Sequence, residues 1–416
     1  MATDKAPERA SSRVILHCDC NNFFASVELL SHPELHDKPV AVAGDTESRH
    51  GIILAKNMIA KRFGVKTAET VWQARQKCPG LVLLPPHHDR YVAFSERINR
   101  IYLDYTDQVE PFSVDESFLD VTGSRALFGS GKEIADTLRK RIREEIGITI
   151  SAGVSFNKTW AKMGSDYKKP DATTVISREN AEEILYPQPI ENMLYVGASA
   201  AQVLKRNGIT TIGHLAAASP DALFRMLGKS GLSLSRAARG ADESPVRVYG
   251  DTDEARSISN SRTYPRDLVG QAECEKALLA LSESVGTRLR AHGLKCRTVQ
   301  VQIKDSDLKV ISRQRTLSLP TSSTDRIYRE ACAILAASWP ENRPVRLFSV
   351  GVDHLTGEDE QMPVQLSMLE TETDQLAQED AKREQLEKTI DDLRRRFGPQ
   401  SVLRGRVADT KTKKEQ

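Results

Sequence analysis

RVILHCDCNNFFASVE, residues 13–28, is the stretch that decides the fold. Its apolar run at 14–16 predicts a short buried strand, and that strand ends in a carboxylate, Asp19. Two small amides follow, and after them come the adjacent aromatics Phe23 and Phe24 and the start of a helix. A charge at the end of a buried strand is costly unless something neutralises it, so this stretch predicts a partner for Asp19.

A second acidic motif lies in FSVDESFLD, residues 112–120, where Asp115 and Glu116 stand side by side in another apolar, strand-like segment. Three carboxylates on two buried strands need a cation between them, and ligation by oxygen alone suits Mg²⁺ or Mn²⁺. Taken singly, a capping role for Asp19 and a turn at the acidic pair explain each motif equally well. The two motifs together favour the metal site.

Composition limits the class of protein. The 416 residues predict roughly two to four domains, and the 39% of apolar residues are enough for well-packed cores. With a formal net charge of only +2, any surface for a polyanion must come from local segregation of charge. No stretch is apolar enough to cross a membrane and the N-terminus has no signal-peptide core, so we expect a soluble intracellular protein. The six cysteines have no repeated spacing, which argues against a disulfide framework.

The first part of the chain predicts a β-α-β-β-α-β unit, the order of elements in a ferredoxin-like sheet. A sheet of this kind presents carboxylates from neighbouring strands at one edge. Residues 51–80 mix a strand with short basic helices. After the first strand, the expected elements are strands at 81–84, 112–120 and 148–156 and helices at 91–105 and 131–147.

A smaller helical unit follows. YVGASAAQVLKRNGITTIGHLA, residues 195–216, has the pattern of a helix-hairpin-helix, in which turns at Gly197 and Gly208 offer backbone N–H groups to a phosphate. A plain connection between two helices explains the same glycines. The stretch at 240–254 is typical of a linker.

Residues 255–355 predict a second β-α-β-β-α-β unit with a basic character. Four cations alternate with apolar residues in its expected strands, which predicts that they share the sheet face away from the helices. A solvated sheet face without a ligand explains this pattern as well. The four residues are Arg297, Lys304, Arg313 and Arg315.

The tail at 356–416 contains a small apolar island, QLSML at 365–369, and an expected helix at 374–397. The apolar side chains on one face of this helix are Leu386, Ile390, Leu393 and Phe397. The last residues, KTKKEQ, are expected to be disordered.

Three carboxylates with lysines elsewhere in the chain suit phosphoryl transfer on nucleotides, because two cations about 3.5–4 Å apart stabilise both the attacking and the leaving oxygen. Asp19 and Asp115 would bridge both ions, and Glu116 would hold the ion that activates a 3′-hydroxyl. The backbone carbonyl of Cys20 would add a ligand. Three lysines would compensate the charge of a nucleotide triphosphate: Lys56, Lys61 and Lys162.

HCDCNNFFASVE, SVDESFLD and AKMGSDYKKPD, in this order, resemble the motifs of the Y-family DNA polymerases, specifically the DNA polymerase IV (DinB-type) branch. The resemblance covers residues 13–370. It implies an α+β, multidomain right-hand fold with palm, small fingers, helical thumb and little finger. It also implies template-directed, error-prone translesion DNA synthesis without a proofreading exonuclease, dependent on two Mg²⁺ ions for which Mn²⁺ can substitute.

The resemblance suggests the following domains. A disordered N-terminus at 1–12 precedes a palm at 13–26 and 78–170, interrupted by fingers at 27–77. A thumb at 171–240, a linker at 241–254 and a little finger at 255–355 follow. The tail at 356–416 would carry a clamp-binding peptide and a C-terminal helix.

Carried over to this sequence, the resemblance assigns Asp19, Asp115 and Glu116 as metal ligands. It makes Phe24 the steric gate, the aromatic that fills the space a ribose 2′-hydroxyl would need, and it places Phe23 near the incoming sugar. Lys162 matches the palm lysine that contacts the triphosphate, and the hairpin containing Gly197 and Gly208 matches the thumb element that holds duplex phosphates.

The fingers depart from the family pattern. Where many members have Thr, Tyr and Arg on the phosphates, this chain has Ala55, Met58 and Lys61. Arg and Lys are not interchangeable on phosphates, so Lys56 and Lys61 would act only as point charges. This departure motivates an alternative, a catalytically weakened accessory protein that binds DNA and the clamp. A nucleotide cyclase on a related palm is disfavoured, because the thumb and basic little finger would then have no task.

The island at 365–369 is similar to the peptide by which bacterial polymerases dock on the sliding clamp. Its anchors would be Gln365, Leu366, Met368 and Leu369, with Met-Leu where the usual pattern ends Leu-Phe. An apolar patch packing on the little finger is the alternative. The resemblance further implies a cytoplasmic, nucleoid-associated bacterial monomer whose partners are primer-template DNA, deoxynucleoside triphosphates and the clamp, with no membrane.

Overall fold

A computed structural model describes residues 13–44, 51–251, 253–357 and 370–405. They fall into two compact units, which meet in sequence at residues 252 and 253. Within the described ranges, no helix combines the length and hydropathy needed to span a bilayer.

The first unit contains a five-stranded and a three-stranded sheet with helices around them. Its strands are β1 (Ile15–Cys20), β2 (Val40–Ala43), β3 (Ile53–Lys56), β4 (Val82–Leu84), β5 (Val109–Pro111), β6 (Glu116–Asp120), β7 (Ile150–Ser155) and β8 (Thr173–Val175). Its α-helices are α1 (Phe23–Leu29), α2 (Met58–Arg62), α3 (Val71–Lys77), α4 (His88–Leu103), α5 (Arg125–Phe128), α6 (Gly131–Glu145), α7 (Lys158–Tyr167), α8 (Ala181–Ile184), α9 (Ala198–Arg206), α10 (Ile212–Ala217), α11 (Pro220–Leu227) and α12 (Lys229–Ala238). Short 3₁₀ helices occupy Pro33–Leu35 and Ile190–Asn192.

The large sheet has the strand order β5-β6-β1-β7-β8, with β1 paired antiparallel to both β6 and β7. The first four of these strands, joined through α4 and α6, form the expected β-α-β-β-α-β unit. Every residue of β1 is buried, because helices cover both faces of the sheet. On one side α6 inserts its apolar stripe, and on the other α7 lies so close that a Cβ at Gly153 would meet the Ala161 carbonyl oxygen at 1.8 Å. This close approach brings α7 directly beneath the central strands.

Two boundaries of the palm differ from the sequence-based prediction. The three-stranded sheet has the order β3-β2-β4, so Val82–Leu84 pairs in parallel with β2 and extends this sheet beyond residue 77. Strand β8 joins the edge of the large sheet in parallel with β7, beyond residue 170. Both extra strands are only three residues long, and their pairing depends on contacts distant in sequence.

Helices α8 to α12 pack around a separate apolar cluster. The hairpin between α9 and α10 turns at Gly208, whose φ of +79° is a left-handed conformation that suits glycine. Gly197 is the N-cap residue of α9. The expected helix-hairpin-helix geometry is therefore present.

The second unit contains strands β9 (Ser257–Leu268), β10 (Leu294–Lys304), β11 (Val310–Thr321) and β12 (Val345–Gly357), with helices α13 (Gln271–Ala291), α14 (Thr324–Ser338) and α15 (Glu370–Phe397). Its element order repeats the β-α-β-β-α-β pattern as expected. The strand order, β11-β10-β12-β9, puts the first strand at an edge, whereas the first strand of the large sheet is central. The two units therefore share the order of elements but not the sheet topology.

The predicted basic sheet face of this unit is wrong for Arg313 and Arg315. They pair across the ladder with Val301 and Val299, which are buried beneath the helices, and cross-strand partners share a face. Arg315 accordingly lies 3.1 Å from Glu330 of α14. The pairing register of β10 shifts between Cys296 and Thr298, so the face that Arg297 occupies does not follow from regular alternation along the strand.

The helix-free face of the second unit is rich in hydroxyl and amide side chains rather than cations. Lys304 lies in register with this set and belongs to the same face. Neutral polar groups of this kind can hydrogen-bond a sugar-phosphate backbone without releasing many counterions. The polar residues are Ser257, Ser259, Ser261, Gln300, Gln302, Ser312, Gln314 and Ser349.

Helix α15 contacts the rest of the second unit through its charged side. The buried Arg290 pairs with Glu387 at 2.8 Å and Asp391 at 2.7 Å. The Glu387 carboxylate also accepts from the Thr324 N–H at the start of α14, where helix amides have no intrahelical partner. Among the expected apolar residues, Leu386 and Phe397 are 61% and 72% exposed. The ion pairs, and not the apolar stripe, therefore hold this helix in place.

Candidate active site

The structure brings the three predicted carboxylates to one edge of the large sheet. Asp19 lies directly opposite Glu116 in the antiparallel register of β1 and β6. The Cys20 N–H donates to the Asp115 carbonyl oxygen at 2.9 Å, which ties the third residue to the same place. Residues directly opposite each other have Cβ atoms about 5 Å apart, so these side chains lie next to one another.

The sequence predicted Asp115 within a strand, but it lies in the bend just before β6. The bend closes because the N–H groups of Phe112 and Ser113 both donate to the Glu116 carbonyl oxygen, at 2.8 and 3.2 Å. The Ser113 hydroxyl then donates to an Asp115 carboxylate oxygen at 2.7 Å. The bend fixes Asp115 beside Glu116 while leaving it half-buried.

Two lysines oppose these carboxylates. Lys162, carried by α7 beneath the sheet, places its Nζ 3.1 Å from Asp19 Oδ2 and 2.8 Å from Glu116 Oε1. Lys169 places its Nζ 2.5 Å from the same Asp19 oxygen. Asp166 lies between them, 3.4 Å from Lys162 and 2.8 Å from Lys169.

The sequence-based reasoning selected Lys162 from this part of the chain, with Lys56 and Lys61 elsewhere, and missed Lys169. It lies two residues beyond the end of α7, so its position depends on how the chain leaves that helix. The spacing of Asp166, four residues after Lys162 and three before Lys169, was the available signal, because it allows one carboxylate to bridge both ammonium groups.

Burial and the neighbouring lysines change the pKa values of these carboxylates in opposite directions. Burial raises the pKa of Asp19 to about 6, although Lys169 and Lys162 both act to lower it. Burial likewise raises the pKa of Asp115. Burial also opposes ionisation of Glu116, but the nearby His17 ring and the Lys162 ammonium hold its pKa well below the usual range. The environment therefore raises the pKa of Asp19 and Asp115 but lowers that of Glu116, so Glu116 is the most firmly ionised of the three.

His17 lies behind Glu116 in the interior of the sheet. Its Nε2 is 3.5 Å from Glu116 Oε2, and its Nδ1 is 2.8 Å from the Ser165 hydroxyl of α7. Burial lowers the pKa of His17 to about 4, so the ring is neutral at physiological pH. Sequence reasoning gave this residue no role beside the carboxylates.

The donor set fits a divalent cation. With Asp166 included, four carboxylates against two ammonium groups leave an excess of two negative charges, and carboxylate oxygens are hard ligands of the kind that Mg²⁺ and Mn²⁺ prefer. Across the described ranges, no cluster of three metal-ligating side chains is preformed. In this structure Lys162 contacts oxygens of Asp19 and Glu116, and Lys169 contacts Asp19.

The two adjacent aromatics have different environments. Phe24, in the first turn of α1, is half-buried and stacks on Tyr91 of α4, with ring centroids 4.0 Å apart and an interplanar angle of 11°. Phe23 is only 2% exposed and belongs to the apolar core beneath the sheet. Of the two, Phe24 is thus the one with surface available to a ligand.

The fingers lysines lie around β3 and α2. Lys56, at the end of β3, donates to the Thr67 hydroxyl at 2.8 Å. Burial and the neighbouring Lys61 ammonium lower the pKa of Lys56. The departures Ala55 and Met58 are in β3 and at the first position of α2.

Comparisons with known proteins agree with this geometry. Residues 18–166 match the model of the impB/mucB/samB family, and residues 255–368 match that of its C-terminal domain. DNA polymerase IV of Acetivibrio thermocellus is 48% identical over 396 residues, covering 94% of this chain and 97% of the relative. DNA polymerase IV 1 of Bacillus subtilis is 37% identical over 412 residues, covering 97% and 95%.

Solved structures give the same result. A Y-family DNA polymerase chimera is similar with a TM-score of 0.73 and 25% identity, covering 82% of this chain and 98% of that one. DinB from Sulfolobus solfataricus is similar with a TM-score of 0.54, at the same identity and coverage. This chain therefore belongs to the impB/mucB/samB family, as a Y-family DNA polymerase of the DNA polymerase IV (DinB) type.

Proposed function

We propose that this chain is an error-prone translesion polymerase that extends a primer 3′-hydroxyl with deoxynucleotides copied from a template, without proofreading. Family membership supports DNA and nucleotides as substrates and a general dependence on a divalent metal. The observation that carries the catalytic part is the pairing of Asp19 opposite Glu116, with Asp115 tied to Cys20.

Two Mg²⁺ ions, or Mn²⁺ in their place, would be held by Asp19, Asp115, Glu116 and the Cys20 carbonyl. Bound there, they would supply a lowered pKa for the attacking hydroxyl and neutralise charge on the transferred phosphate. The chain contributes the rest. Lys162 and Lys169 both pair with the Asp19 carboxylate, and we expect them to turn toward a triphosphate once the carboxylates have other partners. As ammonium point charges they neutralise phosphate oxygens without a fixed orientation.

Other residues would hold the substrates. Lys56 and Lys61 are proposed to contact the triphosphate from the fingers, and Phe24 to act as the steric gate. Phe23 would support Phe24 from the core rather than meet the sugar with much of its own surface, because it is almost fully buried. Backbone N–H groups near Gly197 and Gly208 are proposed to hold duplex phosphates. Contacts of Arg297, Arg313 and Arg315 with DNA stay predictions. The structure does not put these residues together on the helix-free sheet face, so a shared face gives the predictions no support.

The direct test is extension of a labelled primer on a DNA template by the purified full-length chain. With Mg²⁺ and four deoxynucleotides we expect templated extension, including past a template lesion. A chelator should abolish it, and Mn²⁺ should restore it. Without nucleotides the primer should not shorten, because no exonuclease is proposed. Tight DNA binding without extension, in either metal, would contradict the proposal and favour an accessory protein, the reading that the altered fingers suggest.

Clamp docking is a separate part of the proposal. Its anchors, Gln365, Leu366, Met368 and Leu369, lie outside the described residues. Replacing all four with alanine should remove binding to a purified bacterial sliding clamp while leaving extension on short primers unchanged. Equal clamp affinity of the variant and the parent chain would show that docking uses another surface. We also propose a monomer associated with the bacterial nucleoid in the cytoplasm.

A further inference from the structure

A buried carboxylate outside the catalytic group lies one helical turn from Phe24. Glu28 follows Phe24 by four residues on α1, and positions four apart lie on the same face of a helix. Its side chain is 1% exposed. A carboxylate this deeply buried is costly unless hydrogen-bond donors surround it, so its partners reveal what it does.

Tyr91 of α4 spans the two residues on this face of α1. Its ring stacks on Phe24 at 4.0 Å, and its hydroxyl donates to Glu28 Oε1 at 2.5 Å. Phe24, Tyr91 and Glu28 thus form a closed triangle, in which one side is the helix backbone, one is a ring stack and one is a hydrogen bond.

The Tyr91 hydroxyl is held from both sides. While it donates to Glu28, it accepts from the His87 backbone N–H at 3.1 Å. Burial raises the pKa of Tyr91, so the hydroxyl keeps its proton and remains a donor. The ring therefore has little freedom to tilt or slide beneath Phe24.

Glu28 is fixed in turn by an arginine and a histidine of the α4 start. Arg90 donates to Glu28 Oε2 at 3.1 Å and to the Ser31 hydroxyl at 2.8 Å. The His87 Nδ1 lies 3.0 Å from Glu28 Oε1. The carboxylate is thus the point at which the first turn of α4 is joined to α1.

We propose that Glu28 is a positioning residue for sugar discrimination, which acts by fixing Tyr91 and, through it, the ring of Phe24. This inference rests on the proposed role of Phe24 as the steric gate. Rejection of a single hydroxyl by a ring depends on where that ring stands, and a displacement of about 1 Å changes rates by about 100-fold in well-ordered sites. A gate on a mobile support would admit ribonucleotides more often.

The test is the ratio of kcat/KM for a deoxynucleotide to that for the matching ribonucleotide, measured by single-nucleotide incorporation. Glu28→Gln keeps the shape but weakens the acceptor, and Tyr91→Phe keeps the ring but removes the hydroxyl. Each variant should lower the ratio by about tenfold, with deoxynucleotide kcat/KM kept within about threefold. The double variant should resemble either single variant, because both changes act on the same hydrogen bond.

Glu384→Gln is the matched control. Glu384 is another buried glutamate with a hydrogen-bonded carboxylate, which accepts from the Ser322 N–H at 2.8 Å, but it belongs to α15 in the second unit. It should leave the sugar ratio unchanged. A uniform effect on both nucleotides would show a merely structural role for Glu28 and would overturn the inference.

The outcomes separate this inference from the proposed function. An unchanged ratio in both Glu28→Gln and Tyr91→Phe, with normal extension by the parent chain, overturns the role of Glu28 and leaves the polymerase assignment intact. Failure of the parent chain to extend a primer removes the assignment itself. If Glu28→Gln does not fold, Tyr91→Phe decides alone, since it keeps the carboxylate paired with Arg90, and an unchanged ratio in that variant overturns the inference.

Discussion

Asp115→Asn should abolish primer extension, lowering kcat/KM by about 1,000-fold or more, while primer-template affinity stays within about twofold of the parent chain. The substitution preserves size and the bond to Ser113 but removes the charge of one of the three proposed metal ligands from a site that keeps two ammonium groups. The site then binds divalent cations with one carboxylate fewer and with less excess negative charge. Loss of a single electrostatic group aimed at the reacting atoms already costs about 100- to 1,000-fold.

Asp166→Asn is the control for Asp115→Asn. Asp166 contacts both Lys162 and Lys169, so the change removes one negative charge beside these lysines at a residue that is not a proposed metal ligand. We expect extension within about fivefold of the parent chain, because its carboxylate is half exposed and solvent screens its loss. DNA affinity is read by fluorescence anisotropy and extension by single-turnover kinetics. Extension by Asp115→Asn within tenfold of the parent would exclude Asp115 from the proposed ligands.

The palm and its carboxylates could be predicted because local patterns carried the information. Strand β1 is buried on both faces, and its sequence starts within the apolar run at 14–16 and carries Asp19 near its end. The order of elements predicted the β-α-β-β-α-β unit but not which strands pair, since the second unit has the same order and a different sheet topology. Lys169 was not predictable in the same way, since its approach to Asp19 depends on the path of the chain after α7.

The second unit shows where alternation alone is insufficient. A period of two predicts which residues of one strand share a face, but the ladder register decides which face of the neighbouring strand they join. Arg313 pairs with the buried Val301, and this pairing could not be read from either strand separately. Helix α15 is a similar case, because its apolar stripe is exposed and its charged side is docked.

Phe24→Ala should increase ribonucleotide incorporation relative to deoxynucleotide incorporation by about 100-fold. Removing the ring opens the space that a 2′-hydroxyl would fill, and one small group in a close-fitting pocket changes selectivity by about 10- to 200-fold. The ring is half-buried and stacked on Tyr91, so its loss should also destabilise the chain, by about 2 kcal/mol. Melting temperatures should therefore be measured, and activities compared well below the lowest of them.

Phe128→Ala is the control, since Phe128 is another half-exposed aromatic packed on a tyrosine, with its centroid 4.8 Å from that of Tyr105, and it lies in α5. It should cost comparable stability without changing the sugar ratio. Phe24→Leu should give an intermediate ratio, because leucine keeps part of the volume. If Phe24 is the gate, Glu28→Gln should have no further effect on the ratio in the Phe24→Ala background, because a support has nothing to position once the gate is gone. A full additional effect in that background would mean that Glu28 acts on another group, and an unchanged ratio in Phe24→Ala itself would place the gate elsewhere.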